Sequence, residues 1–172
     1  MKTTAYASLV MLLAVVACGE ETPKDVPVEG AGPRLTCDTP SDADTLLEFL
    51  ADGKYREWER ESGPHPSAGP HGGTVLTYVN DTLLESLEAG NEVHPPCSAS
   101  VKELFLGNEE VSGYAVYVKV REDSANGAGW YWLETFSTDP TDSPAFEGDG
   151  DGTCVGCHST GNDFVRTPFP LQ

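Results

Sequence analysis

Near the end of the chain two cysteines stand three positions apart with a histidine directly behind the second, as Cys154-Val155-Gly156-Cys157-His158. This run constrains the fold most, because its three reactive side chains have to meet a single partner. Two thiols at that spacing add across the two vinyl groups of a haem, and the adjoining imidazole binds the iron. Zinc is the competing partner, since thiolate and imidazole are both good zinc ligands. A fourth zinc ligand would have to come from Cys37, Cys97 or a distant histidine, at no recognisable spacing. The expectation is one covalent haem c, attached at Cys154 and Cys157, with His158 on the metal.

Covalent haem attachment takes place outside the cytoplasm, and the beginning of the chain reads as an export signal. Lys2 supplies a positive start, Ala5 to Ala17 is apolar, and Ala17 precedes Cys18. The apolar stretch is shorter than the roughly 20 residues that a membrane span needs. Val15-Val16-Ala17-Cys18 has the form of a bacterial lipobox, in which the cysteine takes lipid; a plain secretory signal with a chance cysteine is the alternative. Gly19 after the cysteine points to the outer membrane. The expected division is a signal peptide over 1–17, a lipidated flexible tether rich in Glu, Pro and Gly over 18–36, and a haem domain over 37–172.

Of the five cysteines, Cys37 and Cys97 are left over by the motif and the lipid site. In an oxidising compartment they are expected to pair. The 28 acidic residues against 10 basic ones give a formal charge of −18. Such a surface disfavours nucleic acid and anionic lipid, and is compatible with a cationic redox partner or with simple solubility.

Both methionines, Met1 and Met11, fall inside the signal peptide. The mature chain then has no thioether to offer, which excludes a His/Met electron-transfer site. The sixth iron position is left to a second histidine (His65, His71 or His94, each beside Pro or Gly), to a lysine, or to an open site for a small molecule.

Ser41 is a candidate cap for a helix carrying Leu46, Leu47 and Leu50, stopped at Gly53, and Tyr55 to Trp58 is a candidate further turn. Ser62 to Gly73 is loop. Strands are expected over Thr74 to Val79, Ser100 to Leu106, Val111 to Arg121 and Trp130 to Phe136, with a short helix after Asn80 or Asp81. Tyr114, Val116, Val118 and Val120 alternate with Ala115, Tyr117, Lys119 and Arg121. The fold class is thus α+β, mainly β: an antiparallel sheet, short flanking helices, and a C-terminal loop carrying the CxxCH haem motif.

Two further side chains are candidates. Lys102 shares a strand face with Leu104 and Leu106, where burial would lower its pKa and free its lone pair as a nucleophile. An edge-strand lysine whose stem covers leucines while its amine reaches water is the alternative. Glu134 shares a face with Trp130, Trp132 and Phe136, so it is a tentative catalytic acid, with a paired structural acid as the other reading.

In order, Tyr55-Arg56-Glu57-Trp58, Thr77-Tyr78-Val79-Asn80-Asp81, Ser100-Val101-Lys102-Glu103-Leu104, Trp130-Tyr131-Trp132, the CxxCH run and Asp163-Phe164-Val165 resemble the cytochrome P-460 family, which includes the cytochromes c′-beta. The resemblance covers about Tyr55 to Leu171. It implies a mainly antiparallel β fold, a homodimer, a five-coordinate haem on His158, and a redox partner cytochrome. Lys102 matches the lysine that bonds to a porphyrin meso carbon in P-460 members, which oxidise hydroxylamine. The c′-beta members bind nitric oxide and related gases without that bond. Hydroxylamine-oxidising members also place a carboxylate over the iron from the strand matching Tyr114 to Arg121, and no Asp or Glu stands there in this chain. The functions expected are hydroxylamine or nitric oxide redox chemistry at an open distal site, non-catalytic gas binding, or bis-His electron transfer.

Overall fold

The computed structural model describes residues 32–107 and 109–172. The expected signal peptide, the lipid site Cys18 and most of the tether lie outside the described residues. In chain order the elements are α1 (Ala43–Ala51), a 3-10 turn (Lys54–Glu57), β1 (Glu59–Arg60), β2 (His65–Pro66), β3 (Thr74–Val79), α2 (Asp81–Glu88), β4 (Ala99–Phe105), β5 (Gly113–Lys119), a second 3-10 turn (Ala125–Gly127), β6 (Trp130–Thr135), β7 (Phe146–Asp149) and α3 (Gly152–His158). The chain is mainly antiparallel β-sheet with three short helices, as the alternation of its strands requires.

All pairings are antiparallel, in the order β1-β3-β4-β5-β6-β7, with β2 pairing a second stretch of β3. Because side chains alternate along a strand, the register sorts the sheet into two faces. One face carries Tyr78, Val101, Val116, Val118 and Leu133 and packs under α1 through Leu46, Leu47 and Leu50. The other carries Val79, Tyr117, Trp130 and Trp132, and is covered by α2, α3 and the C-terminal segment. The valine and tyrosine faces of β5 separate in this way.

The helices begin where short polar side chains take up free backbone donors. α1 is capped by Asp42, one residue beyond the expected Ser41, because the Asp42 carboxylate accepts from the Thr45 backbone N–H. Asn80 caps α2 by accepting from the Leu83 N–H, and it also accepts from Ala99 N–H, which binds the helix start to β4. Cys37 and Cys97 are joined in a disulfide, their Cα atoms 5.4 Å apart, linking the chain before α1 to the segment entering β4. Contacts with the sheet begin before Cys37: Leu35 N–H donates to the Val120 carbonyl, and Arg34 lies over the Tyr131 ring.

The end of the chain differs from expectation. The CxxCH motif lies on a helix, α3, instead of in a loop. Asp151 caps it by accepting from the Thr153 and Cys154 N–H groups. Just before it, β7 pairs with β6 through Tyr131 to Glu134. Its residues Phe-Glu-Gly-Asp carry no apolar alternation, so only backbone pairing with β6 reveals it. Among the described residues no helix is long and apolar enough to cross a membrane.

Candidate functional site

On the Tyr117–Trp132 face the sheet, the Ser62–Gly73 loop, α3 and the C-terminal segment enclose a cavity of about 510 Å³. That volume falls within the range of about 300–1,000 Å³ found for small-molecule and cofactor sites. Its lining includes Cys154, Cys157 and His158 from α3, Lys102 from β4, Tyr117 from β5, and Trp132 and Glu134 from β6. Cys154, Cys157, His158, Lys102 and Glu134 therefore meet in one space, joined by His65 and His71, while His94 lies outside it. The cross-strand register explains part of this. Lys102 pairs with Ala115 and Ala115 with Glu134, which sets one small side chain between two charged ones.

His158 packs its ring against Trp132, centroid to centroid 4.7 Å, and against Tyr117 at 5.7 Å. Its Nδ1–H donates to the Phe164 carbonyl at 2.8 Å. The proton is thereby fixed on Nδ1, and the Nε2 lone pair stays available, the arrangement of a metal-binding imidazole. Burial lowers its pKa to about 4, which keeps the ring neutral at physiological pH.

The carbonyl that receives this bond is held from the sheet. Asp163, the residue before Phe164, accepts from Lys119 Nζ at 2.7 Å, from the His94 N–H at 2.9 Å, and from the Ser124 hydroxyl. Lys119 is fully buried, so this ion pair is its charge partner inside the protein. Both Asp163 and Phe164 have positive φ, which turns the chain back towards α3. The helix is also set by a close approach at the β5–β6 connection. A Cβ on Gly127 (φ 102°) would lie 2.5 Å from Val155 Cγ2, so only glycine lets the motif's second residue sit there.

The thiols of Cys154 and Cys157 are free. Burial and the neighbouring Asp151 push the Cys154 thiol up to about 12. Lys102 sits on a central strand, between β3 and β5, which removes the edge-strand reading. Its pKa is lowered, with burial the main cause, while Glu61 and Glu134 oppose the shift. Burial likewise raises the pKa of Tyr117, whose hydroxyl bonds Thr167.

Glu134 does not stand alone among aromatics: His71 Nδ1 lies 2.9 Å from its Oε1. A second carboxylate, Glu61, which the sequence reading did not single out, lines the same cavity beside His65, one of the three histidines considered for the sixth iron position. Glu61, only 2% exposed, accepts from the Thr77 N–H at 2.6 Å, and His65 Nε2 lies 3.0 Å from the same carboxylate oxygen. His65 Nε2 is within ion-pair range but lacks the alignment of a formed hydrogen bond. In sequence Glu61 sits in the charged run Glu57-Trp58-Glu59-Arg60-Glu61, which reads as a solvated face. The Pro/Gly loop that folds over it carries no signal of that burial.

Trp132 stands at the cavity, and Trp130 beside it shares one property with it, a buried indole nitrogen without a hydrogen-bond partner among the described residues. The lining cations Lys102 and Arg166 suit a ligand bearing carboxylates. These residues fit a haem: two thiols for its vinyl groups, a free imidazole Nε2 for its iron, and donors for its propionates. Among the described residues no group of three or more His, Cys, Asp or Glu side chains converges to hold a bare metal ion, so no zinc set forms around Cys154 and Cys157.

Comparison with protein-family models and with curated proteins finds no match for this chain. The chain is a mainly antiparallel α+β domain in which a cavity joins a CxxCH helix to the face of the sheet.

Proposed function

We propose that this chain is an exported mono-haem protein of the cytochrome P-460 kind, with a redox site for a small nitrogenous molecule such as hydroxylamine or nitric oxide. The observation that carries this reading is the meeting of Cys154, Cys157, His158 and Lys102 at a single cavity, from segments about fifty residues apart. When bound, the haem supplies a redox-active iron that coordinates nitrogen ligands.

The chain's own residues do the remaining work. Cys154 and Cys157 fix the group to α3, and His158 presents Nε2 because Phe164 holds its other nitrogen. Lys102 and Arg166 would face the propionates of such a group, and the aromatic walls would keep water from it. Glu134 with His71, and Glu61 with His65, are carboxylate–imidazole pairs that can give or take a proton at the cavity surface. They supply acid–base capacity despite the strand Tyr114 to Arg121 having no carboxylate. Lys102, its amine made more nucleophilic by burial, would form a further bond to the macrocycle, its N–H and the macrocycle's C–H giving up two protons and two electrons to an oxidant of the peroxide class. The rest of the reading is lipid anchoring at Cys18 on the periplasmic side of the outer membrane, a homodimer, and a partner cytochrome that takes the electrons.

The absorption spectrum of the dithionite-reduced protein tests the Lys102 bond. A Soret band strongly red-shifted from ordinary haem c is expected, reverting in Lys102→Ala; an ordinary band in the unmodified protein would refute the bond. Consumption of hydroxylamine with an artificial electron acceptor is expected. Tight nitric oxide binding without turnover would instead favour a gas-binding protein of the c′-beta kind.

A further inference from the structure

We infer that His71 is a second ligand of the metal bound by His158, a departure from the five-coordinate haem that the family resemblance implies, so that a small ligand gains the iron by displacing a loop histidine. The inference rests on the haem reading of the same cavity. His71 lies in the Ser62–Gly73 loop and lines the cavity together with His158. The centroids of the two imidazole rings are 6.3 Å apart. Two imidazoles that ligate one ion from opposite sides have ring centres about 6 Å apart, given metal–nitrogen bonds of about 2.0–2.1 Å and a ring radius of about 1.1 Å.

The hydrogen bonds of the two rings match. His158 commits Nδ1 to the Phe164 carbonyl, and His71 commits Nδ1 to the Glu134 carboxylate. In neither ring does Nε2 have a hydrogen-bond partner among the described residues. A histidine ligand commonly donates its second nitrogen to a carboxylate or a backbone carbonyl, which fixes the tautomer and strengthens the donor. The chain's remaining two histidines do not fit this role. His65 has Nδ1 bonded to the Pro66 carbonyl and Nε2 against Glu61. His94 bonds Ser86 and is absent from the cavity wall. Glu134 thereby becomes the residue that orients His71, a positioning role.

His71 is also placed to let go. It stands between Pro70 and two glycines of positive φ, Gly72 and Gly73, outside any strand or helix. The resting site is then six-coordinate, and an incoming ligand competes with an imidazole carried on a loop. Its apparent affinity is reduced by the fraction of molecules in which His71 has left the iron.

Electron paramagnetic resonance and absorption spectra of the purified, oxidised, full-length protein test this directly. The unmodified protein is expected to be low-spin, and His71→Ala to become high-spin, with added imidazole restoring the low-spin spectrum. Nitric oxide is expected to bind His71→Ala faster, and Glu134→Ala to give a mixture of spin states. A high-spin spectrum in the unmodified protein would overturn the inference and leave the haem reading standing. A His71→Ala protein that stays low-spin, turning high-spin only when Lys102 is also replaced, would overturn it in favour of lysine. Because the unmodified protein alone separates low from high spin, a variant that fails to fold leaves the inference open to refutation. A purified chain of bare polypeptide mass would overturn the inference together with the haem reading.

Discussion

His158 owes its tautomer to contacts that begin on the sheet, at a lysine with no access to water. Lys119 pairs with Asp163, and Asp163 sets the turn that delivers the Phe164 carbonyl. Replacing Asp163 by Ala would strand a buried ammonium, and breaking such a pair costs about 3–5 kcal/mol. Urea unfolding is expected to register that loss, with Asp163→Asn less affected; a change below about 1 kcal/mol would mean the pair does not hold the turn. His94 makes a pH prediction. Burial lowers its pKa below that of the unfolded chain, about 6.5, so folded and unfolded states are equally neutral above that value. As the pH falls below 6.5 the unfolded state takes up the proton first, and stability declines. Unfolding measured at pH 7.5 and 5.5 is expected to show this decline, and His94→Gln to reduce it.

The helix α3 has no apolar face of its own and is held where Gly127 admits Val155. Gly127→Val is expected to push α3 off the β5–β6 connection, lowering both stability and covalent pigment while the far-ultraviolet circular dichroism of the sheet persists. Unchanged pigment would show that α3 finds its place by other contacts. The opposite face behaves as an ordinary core: replacing Leu46, fully buried between α1 and the sheet, by Ala is expected to cost about 2–5 kcal/mol in denaturant unfolding. The strands β3 to β6 were legible because alternation and turn residues agree, and α1 and α2 because polar capping residues stand beside leucine spacing, although the cap of α1 is Asp42 and not the expected Ser41. β7 and α3 were not, since neither carries a periodic apolar signal and both form by attachment to what is already folded. At the site, Cys154, Cys157 and His158 announce themselves by adjacency. Lys102 and Glu134 were visible as misplaced charges, and only register shows that Ala115 sits between them. The pairs Glu61–His65 and Glu134–His71 depend on how a Pro/Gly loop folds over the sheet, which no local pattern encodes.

Taken whole, the protein divides into a core face that secures the sheet and a cavity face that carries the chemistry. The disulfide between Cys37 and Cys97 belongs to the first task, closing a separation of 60 residues beside α1. A loop of that length stabilises the folded state by about 3–5 kcal/mol in the chain-entropy description. The double variant Cys37→Ser, Cys97→Ser is expected to lose stability of that order while retaining its pigment, because neither cysteine lines the cavity. Loss of pigment in a variant that still folds would contradict this division of labour. The excess of acidic residues gives the whole molecule a charge of −18, so association with a cationic redox partner is expected to weaken as salt rises. The proposed function depends on covalent haem at Cys154 and Cys157. The direct measurement is the intact mass of the purified, exported protein after acid extraction, alongside Cys154→Ala and Cys157→Ala. The unmodified chain should retain the mass and colour of one haem, and the double variant should lose both. A bare polypeptide mass in the unmodified protein, or zinc released in place of iron, would contradict the assignment.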